Sequence, residues 1–432
     1  MRRVLTTVDP TYLAMSLAIS GVGLWVADWA AVRQLNDSAS LTTAVAAMAA
    51  LPIAAFPMYT RLALGRLATA VQLIALTAIA WLLPSILPAQ GWQVLVGGGV
   101  GGLLVAASTR RGTVVAAGVW AGLASALVFV LSGRGEYSTA VLVAGSAGSA
   151  LGGALSGALV LTLSPLAERL FGHVTSMTLL EALSYDHPLL RQLMTAAPGT
   201  FLHSTHLAVL CDAAAHAIGA DALVVRAGAL YHDVGKTRSP LLFIENQHGA
   251  NPHDRLPPGE SAAAIGAHVT DGVELVTRYG LAPCLARFVR EHHGTSVMRS
   301  LAEKAGAEQL DPSIFQYPGP RPQSRDTGLV MIADQVEATG RSRQPETLDA
   351  CRALVQETVD RIVSEEQLVE SGLSPADLAK IVGALADMVH AIHHRRIAYP
   401  EPRHRRASAG APAQSDRQGR RQHAADRRGS ER

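Results

Sequence analysis

The pattern of hydrophobic positions changes character once along the chain. Up to residue 163 it consists of long apolar stretches. Six of them, near residues 12–32, 41–57, 67–87, 92–108, 113–131 and 139–163, approach the roughly 20 apolar residues needed to cross a hydrocarbon core. The fourth, WQVLVGGGVGGLLVAAS, is short and glycine-heavy, a composition that lets helix backbones approach closely in lipid. The first has no small-residue cleavage site after a short apolar core, and five more follow, so it reads as a retained helix and not a signal peptide. From about residue 168 apolar positions recur every three or four residues, as in STHLAVLCDAAAHAIGA and GVELVTRYGLAPCLARFVREHH. That spacing predicts amphipathic helices, each with one buried face. The expected fold is all-α: a polytopic membrane bundle over residues 1–163, then an all-helical domain over residues 164–400. Two polar loops, at 239–260 and 311–325, interrupt that domain and are natural places for function.

Charge sharpens the division. The mean hydropathy is +0.21, but residues 1–163 hold 8 Lys/Arg against 4 Asp/Glu, and residues 164–400 hold 20 against 27. With Arg2 and Arg3 placed inside, the inside loops add Arg61, Arg66, Arg110 and Arg111, while the outside loops hold Arg33 and Arg134. This agrees with the positive-inside rule and returns the chain to the cytoplasm after six spans. Asp28 is almost alone among the apolar runs, which favours an anchor or sensor bundle over a transport path. The last 32 residues carry 9 Arg and few large apolar groups, so 401–432 is expected to be a disordered basic tail. Its arginines can touch anionic lipid, but a solvated tail without a specific partner is expected, and no specific nucleic-acid polymer is expected as a partner. Cys211, Cys284 and Cys351 are widely spaced and read as free thiols in a reducing compartment.

The candidate chemistry lies in the second region. His203, the adjacent pair His232–Asp233, His268, the pair His292–His293, and Asp334 sit among apolar helical residues, each group on a different predicted helix. Imidazole and carboxylate donors suit manganese, iron or zinc. An aspartate can bridge two ions while the neighbouring histidine binds one, and paired ions acidify a water and clamp a phosphoryl displacement. Gly235 leaves room for another group at the backbone, and Lys236 places a cation where a phosphate can lie. His206 and His216 have no assigned partners, and His248 and His253 read as solvated loop residues. His390, His393 and His394 read as a solvated helix end.

These residues resemble the HD-domain phosphohydrolases. The stretches HPLLRQLMTAAPGTFLHS, GALYHDVGK, FIENQHGANPHD, SAAAIGAHVTDGVEL, REHHGT, FQYPGPRPQ and MIADQVEA, over about residues 181–343, are most similar to one branch. That branch is the seven-transmembrane HD family of PgpH-type cyclic di-AMP phosphodiesterases. The resemblance implies a bacterial multi-pass membrane protein with a cytoplasmic HD domain and cytoplasmic termini. It implies two divalent transition-metal ions, manganese or iron, held by His203, His232, Asp233, His268, His292, His293 and Asp334. Asp233 is then the bridge and Lys236 a phosphate contact, and a bridging hydroxide opens cyclic di-AMP to linear pApA. HHGTSVM follows the paired histidines in place of the GYP motif of the cyclic di-GMP branch. Another nucleotide substrate, or a non-catalytic nucleotide sensor, stays open, as do the general acid and the oligomeric state. Family members carry an extracellular domain between their first helix and the other six, and no loop between the predicted spans here can hold one.

Overall fold

A computed structural model describes residues 9–33, 38–82, 90–106, 110–306 and 311–393; Arg2, Arg3, His394 and the basic tail lie outside the described residues. The described residues are helical throughout, and their sole β feature is an isolated bridge between Val297 and Gln316.

The apolar region forms α1 (Pro10–Arg33), α2 (Ser38–Ala49), α3 (Ala55–Ala63), α4 (Arg66–Leu82), α5 (Gln90–Val105), α6 (Arg111–Gly133) and α7 (Thr139–Phe171). Among the described residues, α1, α6 and α7 are each long and apolar enough to cross a membrane. The outer faces stay apolar, with Trp25, Trp120, Leu127 and Val143 exposed. The second predicted run does not form one helix. It divides into α2 and α3 around Leu51–Pro52, because proline lacks the N–H that a continuing helix needs and pushes its predecessor out of the α region. The glycines of α5 face inward: Gly97, Gly98, Gly101 and Gly102 are buried. A Cβ on Gly101 would lie 2.9 Å from Met58 of α3, so glycine is what permits that contact. Helices α6 and α7 meet backbone to backbone, Gly118 and Gly122 against Gly153 and Gly157.

Helix α7 runs past residue 163 to Phe171 and stops at Gly172, whose φ of +66° is left-handed. Beyond it His173 is buried, its Nε2 donating to Asp9 Oδ2 at 3.1 Å while the Tyr59 hydroxyl donates to Nδ1 at 3.2 Å.

The following helices are α8 (Ser176–Ala182), α9 (Pro188–Ala196), α10 (Pro198–Ile218), α11 (Ala222–Tyr231), α12 (Pro258–Arg278), α13 (Pro283–Glu291), α14 (Arg299–Lys304), α15 (Arg325–Arg343), α16 (Leu348–Ser364) and α17 (Pro375–His393). Proline opens α9, α10, α12 and α13, where its missing N–H costs nothing and its φ is already helical. Asp221 caps α11 through the N–H groups of Leu223 and Val224, and Ser324 with Thr327 forms a capping box on α15. The core lies between α10, α11, α13 and α15: Leu207, Cys211, Tyr231, Phe288 and Met331 belong to one buried cluster. Helix α15 is buried without a break from Asp326 to Asp334, so it threads the centre of the domain.

Candidate metal centre

His203 lies on α10, His268 on α12 and Asp334 on α15, but the two adjacent pairs do not lie within helices. His232 is the C-cap of α11 and Asp233 begins a 3-10 turn; His292 is the C-cap of α13 and His293 lies just beyond. Successive side chains inside an α-helix diverge by about 100°. Where the helix unwinds, neighbours can point to one place, and the rings of His292 and His293 lie 3.9 Å apart between centroids. Gly235 allows this packing. A Cβ there would collide with the His268 carbonyl oxygen and sit 2.7 Å from the Gly272 nitrogen, so α12 could not rest on the turn.

The seven sequence-predicted ligands come together, with Asp233, itself 2% exposed, among the other six. Its Oδ2 lies 3.2 Å from His232 Nε2 and 3.9 Å from His203 Nε2. Its Oδ1 lies 3.3 Å from His268 Nε2 and 3.5 Å from His292 Nε2. Each oxygen thus faces its own histidine pair. Asp334 joins the first pair, with Oδ1 3.1 Å from His203 Nε2 and 3.7 Å from His232 Nε2. His293 belongs to the second set, its ligand atom within 4.8 Å of those of Asp233, His268 and His292.

The other ring nitrogens decide what these groups can do. His232, His268 and His292 donate Nδ1–H to the carbonyls of Ala229, Ile265 and Val289 at 2.6, 2.6 and 2.8 Å. His203 donates its Nδ1–H to Glu337 Oε2 at 2.7 Å. With the proton held there, Nε2 of His232, His268 and His292 presents a lone pair inward, and Nε2 of His203 does so once its second proton gives way to a cation. Yet Nε2 of His203 is 3.4 Å from Nε2 of His232, and Nε2 of His268 is 3.4 Å from Nε2 of His292. Asp233 Oδ1, buried beside the second pair, has no hydrogen-bond partner. Converging lone pairs and carboxylate oxygens repel one another unless a cation lies among them, so the donor set fits divalent metal. Burial holds the His268 imidazole down to about 3, and burial with the neighbouring His292 and His268 holds His293 well below the usual range, so both rings are neutral donors. His203 goes the other way: burial opposes its charge, but Asp334 and Glu337 outweigh it and raise the imidazole to about 10. A proton takes a cation's place there. Asp233 is pushed up by burial but held well below the usual carboxylate range by His232 and Lys236.

Lys236 lies inside this network. Its Nζ is 2.7 Å from Asp233 Oδ2 and 2.9 Å from Glu245 Oε1, and 4.8 Å above the centre of the Phe243 ring. Glu245 and Glu337 were not foreseen from the sequence. Glu337 stands three residues after Asp334, a spacing that puts both on one helix face and was a usable signal. Glu245 lies in the 239–260 loop, where nothing local marks it. Tyr317, from the second loop, stacks on His293 at 4.0 Å between centroids and was also missed. His253 departs from the solvated-loop expectation: it is buried, and its Nε2 donates to the Leu242 carbonyl at 2.8 Å. His216 is exposed, and His206 is half-buried.

Residues 200–339 match the family model described as HD domain, and residues 11–175 match the one described as 7TM receptor with intracellular HD hydrolase. The chain belongs to the seven-transmembrane HD family. Among members of this family, the cyclic-di-AMP phosphodiesterase PgpH of Bacillus subtilis is 39% identical over 252 residues, 58% of this chain and 35% of that protein. The protein of the same description from Listeria monocytogenes is 33% identical over 322 residues, 71% of this chain and 44% of that one. This chain therefore spans less than half the length of these curated relatives. A crystal structure of the L. monocytogenes PgpH HD domain in complex with cyclic-di-AMP is 34% identical, covering 49% of this chain and 100% of that one, with a TM-score of 0.47. This member of the seven-transmembrane HD family is thus a membrane protein whose HD site has a donor set suited to divalent metal.

Proposed function

We propose that this chain is a membrane-anchored phosphodiesterase that opens cyclic di-AMP to linear pApA, using two divalent ions, manganese or iron, held by the seven ligands. The observation that carries the reading is the placement of Asp233, one oxygen toward His203 and His232 and the other toward His268 and His292. Ions held there would supply an acidified water and positive charge for the phosphodiester. The protein's own part is to keep each histidine Nε2 aimed inward through the backbone carbonyls and Glu337. Lys236 spends two of its three N–H groups on Asp233 and Glu245, which leaves a third for a phosphate oxygen. Cyclic di-AMP is chosen over other nucleotides because it is the substrate in the names of the relatives. The excess of arginine on the inside loops supports cytoplasmic termini and a cytoplasmic HD domain. The domains would then be residues 1–163, 164–400 and the basic tail 401–432.

The test is the full chain in detergent, loaded with Mn²⁺ or Fe²⁺ and offered cyclic di-AMP, cyclic di-GMP and linear dinucleotides side by side. Linear pApA as the fastest product is expected. Bound metal without any linear product would refute the enzyme reading, and faster turnover of another nucleotide would refute the substrate.

A further inference from the structure

We infer that the two metal positions are built unequal, with the position of His203, His232 and Asp334 the tighter one, and that Glu337 is the positioning residue that makes it so. The inference rests on the two-ion reading above and is independent of the substrate.

The asymmetry begins with hydrogen-bond acceptors. Three of the four histidines that face Asp233 give their Nδ1–H to neutral backbone carbonyls. His203 alone gives it to a carboxylate, Glu337, which is 8% exposed and therefore poorly screened. A charged acceptor shifts electron density toward Nε2 and makes the imidazole a better donor to a cation. The acidic side chains are divided the same way. Asp233 is shared, one oxygen to each position. Asp334 turns Oδ1 to His203, and Glu337 stands behind the same ring. The other position draws on His268, His292 and His293 with Asp233, and Asp334 stands farther from it, its Oδ2 3.9 Å from His293 Nδ1 against 3.1 Å from its Oδ1 to His203 Nε2. Two neighbours oppose the trend without reversing it. Lys236 contacts Asp233 Oδ2 but is shared with Glu245, and Arg341, half exposed, approaches Glu337 Oε1 only to 3.9 Å. The first position thus has Glu337 to itself, the nearer oxygen of Asp334 and a more basic histidine. It should fill first and hold its ion when the other has lost one.

Mn²⁺ alone is the probe. The chelator-stripped full chain in detergent is titrated while the free ion is followed by its paramagnetic resonance signal. Wild type should bind two ions in steps separated by at least about tenfold, since groups behind a ligand typically set 10–100-fold in affinity. The first equivalent should give an isolated-ion spectrum and the second a spin-coupled one. Glu337→Gln should weaken the tight step by about 10–100-fold and leave the weak step within about twofold, which also reports an intact fold. Should that variant not fold, His268→Gln decides: it should remove the weak step and leave the tight one. Equal steps in wild type, an equal loss of both steps in Glu337→Gln, or loss of the tight step in His268→Gln would each overturn the inference. One ion in all would overturn the two-ion reading with it. Two unequal ions with no nucleotide opened would refute the enzyme reading alone.

Discussion

The ammonium of Lys236 stands 2.7 Å from the oxygen of Asp233 that faces His203 and His232. One buried ammonium therefore lies between two carboxylates, Asp233 and Glu245, and offsets part of their charge before any metal arrives. Replacing Lys236 by Met leaves two buried carboxylates without their partner, a change that costs about 3–5 kcal/mol in buried pairs. The metal-free Lys236→Met protein should melt well below wild type. Because a divalent ion can take over the charge on Asp233, Mn²⁺ should raise the melting temperature of the variant more than that of wild type. Thermal denaturation of both proteins with and without Mn²⁺ checks this; equal increments would show that Lys236 and the metal do not share Asp233.

Asp233 faces both histidine pairs directly, whereas Asp334 faces the first pair and reaches only His293 on the other side, at 3.9 Å. Loss of Asp233 should therefore differ from loss of a ligand on one side. Asp233→Ala should abolish hydrolysis and lower bound metal from two ions to fewer than one, whereas Asp334→Ala should leave about one ion behind. Elemental analysis of the purified variants separates the two cases. Two retained ions in Asp233→Ala would mean that the carboxylate is not the bridge.

Much of this was legible in the sequence. Five histidines and two aspartates in apolar helical surroundings marked the residues that the fold brings together, because a charged or polar group among buried positions needs a partner. Long apolar runs marked the apolar helices, of which α1, α6 and α7 among the described residues are long enough to cross a membrane. The groups that orient the ligands were not legible in the same way. The carbonyls of Ala229, Ile265 and Val289 carry no side-chain identity, and Glu245 reaches Lys236 through a loop whose path local pattern does not determine. The break between α2 and α3 was signalled by Pro52 but hidden by the uniform hydrophobicity around it.

The α6–α7 contact makes a prediction about the membrane part. A Cβ on Gly118 would lie 2.7 Å from the Gly157 nitrogen, and one on Gly122 would lie 2.7 Å from the Ser149 carbonyl oxygen. Both obstacles are backbone, so no rotamer change can relieve them. Gly122→Leu should separate the helices and cost at least about 1–3 kcal/mol, the usual range for overpacking. It should lower the melting temperature and the monodisperse yield in detergent. Gly112→Leu, which meets nothing within 4 Å, is the matched control. Equal behaviour of the two variants would refute close packing of α6 on α7.

Asp326 gives the pH dependence. It is buried in the first turn of α15, and its Oδ2 has no hydrogen-bond partner. Burial, aided by the Asp221 carboxylate, raises its carboxyl from 3.8 to about 6. The folded protein thus binds a proton between about pH 4 and 6 where the unfolded chain does not. This contribution to stability is full below pH 4 and is lost as pH rises through 6. A shift of this size corresponds to at most about 3 kcal/mol, at about 1.4 kcal/mol per unit. Asp326→Asn keeps the shape and removes the titration. It should raise the melting temperature at pH 7, and its advantage over wild type should shrink as pH falls from 6 to 4. An advantage that is constant across that window would assign the effect to something other than the buried charge.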